Sequence, residues 1–296
     1  MKLRELGEDR LIARLVKGLA TNRDIIVGPG DDCAVLRSPH TTEYLLFKTD
    51  CVVERVHFSP NEKPAAVGWK AMMRALSDFA AMSGCPGYAL VTLVTPADRR
   101  AGWISQLYRG LRRAAERFKV AIVGGETSST SGPLLISVAV LGRVEKARCV
   151  LRSGGKRGDI LFVTGRLGGS GKARHLKFVP RIEEARWLTE NFPIHAMMDL
   201  SDGLGADLPR LAKASGLGFE IDESALPRNR GCSITEAINE GEDYELLFAA
   251  SPNDAQALEQ KWRRKFPQLL LTRIGRLNRK SQTTNREAFH GYLHFQ

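Results

Sequence analysis

The chain has 296 residues, is 43% hydrophobic and 26% charged, and carries a formal net charge of +11. That length suits one large domain or two ordinary ones, and no apolar run approaches the ~20 residues a membrane helix needs. Lys2, Arg4 and Glu5 stand where a signal peptide would be apolar, and the five cysteines form no C-x-x-C pair, so a cytoplasmic protein without zinc, disulfides or membrane partners is expected.

Helical periodicity runs from Leu6 to Leu19, with Leu11, Ile12, Leu15, Val16 and Leu19 on one face. Tyr44 to Phe47 reads as a strand ending at Asp50. Pro64 suits a first helical turn, and Trp69, Met72, Met73, Leu76, Phe79 and Ala80 give an apolar stripe to about Met82. Gly84-Cys85-Pro86-Gly87 stops that helix. Tyr88 to Thr95 is a strand, and 98–118 is a helix with Asp98 as its N-cap. Val120 to Val123 is a short strand, followed by a turn at Gly124-Gly125-Glu126-Thr127, and Leu134 to Leu141 is another strand. The chain turns polar and Gly-rich around 144–158, which sets a domain boundary between 1–146 and 147–296.

The second half restarts with a strand at Ile160 to Thr164 and a Gly-rich loop at 165–171. Its spacing does not match the dinucleotide fingerprint, and the chain has no Walker P-loop. Helices follow at 182–191, 204–215 and 254–264, and strands at 219–221, 246–248 and 269–274. Strands and helices mix in both halves, which predicts an α/β or α+β architecture in two domains.

Six acidic clusters punctuate this pattern: Asp31-Asp32, Asp50, Asp78, Glu126, Asp199 with Asp202, and Glu242-Asp243. Singly, each has an ordinary explanation. Asp and Gly favour turns, and Ser201 or Asp202 would cap the following helix. Asp78 is less ordinary, because it lies between Leu76 and Phe79 inside an apolar helix, where a cation or a basic partner would explain it. Together the clusters point to a Mg²⁺-dependent phosphate site, since oxygen ligands suit hard cations and small neighbours let phosphate approach the backbone. The Lys and Arg run from Lys261 to Arg286 lacks aromatic interleaving and reads as solvated surface. Nucleic acid is not an expected partner, and a non-catalytic nucleic-acid-binding protein is a remote alternative.

The segments GDDCAVL (30–36), KTDCVVERVHF (48–58), WKAMMRALSDFAAMSGCP (69–86), VGGETS (123–128), LRSGGKRGDILFVTG (151–165), MDLSDGLGADL (198–208), GEDYELLF (241–248) and HGYLHF (290–295), in this order, resemble the thiamine-monophosphate kinases. That family shares a superfamily with aminoimidazole ribonucleotide synthetase and selenophosphate synthetase. The resemblance implies ATP-dependent phosphorylation of thiamine monophosphate to thiamine diphosphate by in-line transfer. It implies an N-terminal domain that forms a homodimer through a barrel-like sheet, and a C-terminal α/β domain that closes the ATP cleft.

Carried over by position, Asp31, Thr49, Asp50, Asp78, Glu126, Asp199 and Asp202 would hold several Mg²⁺ ions, with Asp50, Asp78 and Asp202 catalytic. Gly125, Glu126, Arg152 and Ser201 would contact ATP, and His57, Glu242 and Tyr292 the thiamine phosphate. Five features depart from the family pattern. Glu126 replaces Asp, Lys48 replaces a small residue, Gly169 replaces the Asp of a Gly-Asp-Ser loop, Glu240 replaces Gly, and the stretch 171–175 is short. They keep open a second alternative, an ATP enzyme of the same superfamily with another acceptor.

Overall fold

The computed structural model describes residues 2–171, 174–279 and 290–292. Contacts divide the chain into two units. The helix expected over 6–19 is instead two short helices, α1 (Leu3–Leu6) and α2 (Glu8–Leu15), separated at Gly7, and β1 (Ile25–Val27) follows.

The first-sheet unit comprises Asp32–Val150 and Gly171–Asn191. Its strands β2 (Ala34–Arg37), β3 (Glu43–Val53), β4 (Cys85–Thr95), β5 (Ala121–Ser129) and β6 (Leu135–Glu145) lie in the order β2-β3-β6-β4-β5. All these pairs are antiparallel except β4 with β5, which is parallel and leaves β5 at the edge. One face carries Leu46, Val52, Ala89, Val91, Leu93, Ile136, Val138 and Val140, all buried. Helix α3 (Pro64–Ala81) belongs to the same core and is buried on nearly every side, as expected of a helix apolar around its circumference. Helix α4 (Ala101–Arg117) packs on α3. It starts three residues after Asp98, and its N-cap is Arg100 with no side-chain bond, so Asp98 is not the cap.

The opposite face of this sheet exposes Phe47, Tyr88, Leu90 and Val123. The strand signals at 44–47 and 120–123 are correct in kind but short in extent. Strand β3 runs on through Asp50 to Val53, and β5 through the expected turn at 124–127.

Helix α5 (Ile182–Asn191) lies in the second half of the chain but packs on α3. Arg186 fixes it to the end of β6 by a bidentate pair with Glu145, at 2.6 Å and 2.7 Å.

The second-sheet unit has strands β7 (Ile160–Thr164), β8 (Ile194–Asp199), β9 (Gly218–Ile221), β10 (Leu246–Ala250) and β11 (Leu271–Asn278), in the order β8-β10-β7-β11-β9. All four of its strand pairs are antiparallel. Strands β7 and β10 are almost continuously buried, which accounts for their unbroken apolar runs. Helices α6 (Leu204–Ala214) and α7 (Ile234–Asn239) add Leu204, Leu208, Leu211, Ala237 and Ile238 to the core under one face. Phe162 and Phe248 alternate to the other face and stack at 5.2 Å, and α8 (Pro252–Lys265) packs on β11. No described helix is long and apolar enough to cross a membrane.

Hydrogen bonding from Arg186 holds the Glu145 carboxyl down to about 2, against partial burial that works the other way. A depressed carboxylate stabilises the fold above its unfolded pKa of ~4.3 and loses that contribution as pH falls toward 2. The Glu145 side chain is 39% exposed, so solvent screening reduces the contribution to about 1 kcal/mol. In urea titrations, Glu145→Gln should be less stable than the parent by about this amount at pH 7. The difference should vanish near pH 2.

Candidate active site

In the first-sheet unit the register of β3 sorts its polar residues onto two faces. Lys48 and Asp50 point toward α3, and Thr49 and Cys51 point away. Under the α3 face lies a compact charge cluster. The carboxylate oxygens of buried Asp32 and Asp78 come within 4.8 Å of each other. Lys48 Nζ donates to Asp78 Oδ1 at 2.6 Å, and Arg74, one turn before Asp78 on α3, lies 3.4 Å from Asp50. Burial opposes the Lys48 ammonium, but the charges of Asp78 and Asp50 and the hydrogen bond to Asp78 outweigh it. The net result lies above the usual lysine range. The cation or basic partner that Asp78 requires therefore includes Lys48.

On the other face, Thr49 Oγ1 lies 3.2 Å from Ser137 Oγ. Glu126 shares a register row with Thr92, Ser137 and Cys51 and is exposed. The unit thus brings Asp50 and Asp78 together and sets Thr49 and Glu126 on the opposite side of the sheet. Gly124-Gly125-Glu126-Thr127 is not a turn. A Cβ on Gly125 would stand 1.8 Å from the Val91 carbonyl oxygen, so the approach of β5 to β4 already requires glycine there.

His57 Nδ1 accepts from the Val53 amide at 3.0 Å, which leaves the proton of a neutral ring on Nε2. Its carbonyl accepts from fully buried Lys70, whose Nζ also lies 2.6 Å from His175 Nδ1.

In the second-sheet unit, β8 delivers Asp199 buried at its end, opposite Leu246 of β10. The loop after it is laced to two others. Glu242 N donates to Ser201 O at 2.7 Å, Tyr244 N to Leu200 O at 2.8 Å, and Tyr292 N to Asp202 O at 2.8 Å. Asp199, Ser201, Asp202, Glu242 and Tyr292 are thereby gathered in one layer. The Arg152 amide donates to Asp31 Oδ2 at 3.1 Å.

Neither Ser201 nor Asp202 caps α6. The N-cap is Gly203, at φ 95°, with no side-chain bond. The Asp202 carboxylate pairs with Arg210, and its amide donates to Asp207 Oδ2 at 3.0 Å. Asp207 is fully buried and also accepts from Arg210 at 3.0 Å. Burial first, then the charges of Asp202 and Asp199, push its carboxyl well above the usual range, and Arg210 opposes them.

Asp32, Lys48, Arg74, Asp207 and Arg210 are thus structural partners of the assigned residues that were not assigned themselves. The signal for Asp207 and Arg210 was present, since Asp202, Asp207 and Arg210 meet across the first turns of α6. The described part of the basic run lies on α8 and β11, where Arg273 pairs with Glu259 and Arg276 with Glu220. Its remainder, 280–286, lies outside the described residues.

The donors are all hard oxygens, and two of the carboxylates are buried and close. That chemistry fits Mg²⁺ and would suit a softer metal poorly.

The chain matches the family model of the AIR synthase related protein, N-terminal domain, over residues 30–144, and that of the C-terminal domain over 156–282. These matches define a two-domain AIR synthase-related protein, as expected from the α/β reading. The chain is 38% identical to the thiamine-monophosphate kinase of Rhodopirellula baltica over 79% of each chain. It is 34% identical to that of Aquifex aeolicus over 94% of this chain and 93% of that one. A solved structure of AaThiL complexed with AMPPCP and TMP has a TM-score of 0.83 at 33% identity and covers 99% of both chains. The chain belongs to the thiamine-monophosphate kinase family.

Two departures from the family pattern meet in this structure. The Gly169 amide donates to the Glu240 carboxylate, and the Gly168 amide donates to Asp243 at 3.0 Å. Gly169 sits at φ 80°, and a Cβ there would stand 3.0 Å from Cys232 Sγ. The left-handed backbone and the nearby sulfur favour glycine at 169, while Glu240, at the end of α7, supplies a carboxylate to the same loop. In Glu240→Gly, hydrogen exchange at the Gly169 amide should quicken about tenfold, the loss of one charge-assisted bond of about 1.4 kcal/mol. Exchange elsewhere in 160–164 should be unchanged.

Proposed function

We propose that the protein transfers the γ-phosphoryl group of ATP to thiamine monophosphate, giving thiamine diphosphate and ADP. The observation that carries this reading is the presence of a carboxylate set on each unit of a chain that covers 99% of a relative solved with AMPPCP and TMP. AMPPCP is a non-hydrolysable ATP analogue, which supports ATP as the co-substrate. We place the two family modules at 1–146 and 147–296 and the protein in the cytoplasm.

The acceptor is a phosphate oxygen that is already anionic. It attacks the γ-phosphorus as the bond to the β-phosphate oxygen breaks, and no proton has to be removed first. The residues therefore need to position and to neutralise, not to act as a strong base. Asp31, Thr49, Asp50, Asp78, Glu126, Asp199 and Asp202 would hold several Mg²⁺ ions, which when bound offset the repulsion between two phosphate groups. Among them Asp50, Asp78 and Asp202 take the catalytic role in this reading, and each carboxylate is oriented by a neighbouring cation, Arg74, Lys48 or Arg210.

Gly125, Glu126, Arg152 and Ser201 would contact ATP. His57, Glu242 and Tyr292 would contact the acceptor, and the ring proton on His57 Nε2 suits a phosphate oxygen. Glu242 at φ 65° and Tyr244 at φ 52° hold left-handed backbone, a conformation that concentrates at functional loops. Another ATP-dependent reaction of the same superfamily, with a different phosphate or amide acceptor, is the second reading, favoured by Glu126 and Gly169.

The protein acts as a homodimer in this proposal. Phe47, Tyr88, Leu90 and Val123 form an exposed apolar row on the first sheet, and edge strand β5 is exposed along nearly its whole length. We assign this patch to contact with a second copy of the chain, as exposed apolar patches often mark interaction sites.

Purified protein should form thiamine diphosphate only when ATP, Mg²⁺ and thiamine monophosphate are all present. Chromatographic product analysis with chelator and no-acceptor controls tests this, and ATP binding without product would favour the second reading. Asp78→Asn should lower kcat at least ~100-fold, the scale of losing one transition-state electrostatic group, with the circular dichroism spectrum retained. Sedimentation should give a dimer for the parent and a monomer for the double variant Tyr88→Asp, Val123→Asp.

A further inference from the structure

We propose that the Lys48 ammonium stands in for one divalent cation of the acidic cluster, so that this chain binds one metal ion fewer at Asp78 than its carboxylates would otherwise hold. The inference rests on the metal reading of the cluster given above and adds a resident cation to it.

The argument begins with charge. Asp32, Asp50 and Asp78 place three carboxylates at the meeting of β2, β3 and α3, and two of these are buried within 4.8 Å of each other. Buried like charges at that separation repel strongly unless a cation lies among them. This chain supplies cations of its own. Lys48 Nζ sits 2.6 Å from Asp78 Oδ1, and Arg74 sits 3.4 Å from Asp50.

Position matters as well as charge. Lys48 belongs to β3 in an inward-facing register, two residues before Asp50. Its Cα is therefore fixed by a strand paired on both sides, and the 2.6 Å bond to Asp78 Oδ1 holds the ammonium in the cluster. The Asp78 side chain is 8% exposed, so the oxygen that receives Lys48 lies in a site of low effective dielectric, where the pair is tight. A divalent ion seeking that same oxygen must displace a fixed monocation or bind against its repulsion. A resident ammonium also loses no translational freedom on each catalytic cycle and is insensitive to metal supply. The remaining carboxylates keep their capacity for Mg²⁺, so the prediction concerns one ion, not all of them.

The test counts ions. Free Mn²⁺ is followed by electron paramagnetic resonance during titration of the full-length protein, with AMPPCP present, for the parent, Lys48→Met and Lys48→Arg. Lys48→Met should bind one more Mn²⁺ per chain than the parent, and Lys48→Arg should match the parent. Equal stoichiometry in Lys48→Met and the parent would overturn the proposal while leaving the metal reading intact. Absence of Mn²⁺ binding in every protein would overturn the metal reading, and this inference with it. Should Lys48→Met fail to fold, the parent alone decides. Amine-reactive labelling of Lys48, read by peptide mass spectrometry, should stay at its metal-free level as Mn²⁺ is raised. A rise of tenfold or more would mark eviction of the ammonium by metal and refute the stand-in role.

Discussion

A carboxylate placed in a protein core must be neutralised, and this chain places several there. Asp32, Asp78, Asp199 and Asp207 are all buried. Much of the surrounding structure follows from that constraint. In the first-sheet unit the answer is a lysine from a central strand and an arginine from the same helix. In the second-sheet unit it is Arg210, shared between Asp202 and Asp207, with Asp207 itself driven toward its neutral form by burial. The two units use the same device with different residues. Such sites hold strained electrostatics in the resting fold, and this is where phosphate chemistry is expected to draw on them.

The Gly-rich loop after β7 shows how a departure from a family pattern can be conservative in physical terms. Position 169 has a left-handed backbone and a sulfur close to where its Cβ would be. Glycine adopts that conformation without strain. The amide of 169 is instead bonded to the Glu240 carboxylate, from the end of α7. Asp243 does the same for the preceding amide. The loop is therefore tied at two successive amides, and the substitution at 169 and the substitution at 240 are best understood as one change. Lys48 is a different kind of departure, because its ammonium adds a charge to the cluster.

How far the sequence revealed these features depended on whether the information was local. The strand at 160–164 and the helix at 182–191 were legible to the residue, because an unbroken apolar run and a clean helical period are both local signals. Buried Asp78 was legible as an anomaly, since an acidic residue between Leu76 and Phe79 contradicts its surroundings. Its partner Lys48 was not, because the contact spans 30 residues and depends on the register of β3. The caps at 98 and 201–202 failed for a related reason. Asp and Ser are good caps in general, but Asp202 is drawn to Arg210, and Gly203 takes the cap position. The converse also occurred. Ser233-Ile234-Thr235-Glu236 is a full capping box for α7 and could have been found from spacing alone.

Glu126 joins the local and long-range arguments. Its strand was expected to end in a turn, because glycine pairs usually punctuate. Instead β5 continues, with glycine imposed by the close approach of β4. Extension of the strand carries Glu126 to the exposed face, on the same side of the sheet as Thr49 but three strands away from it, and on the opposite side from Asp50 and Asp78. Two of the residues assigned to metal thus lie on the apolar, outward side of the first sheet. In the proposed homodimer that side is covered, and the extra methylene of Glu126 becomes reach toward whatever lies across the interface. The surface proposed for a second copy of the chain is therefore also the side of the sheet on which Thr49 and Glu126 lie.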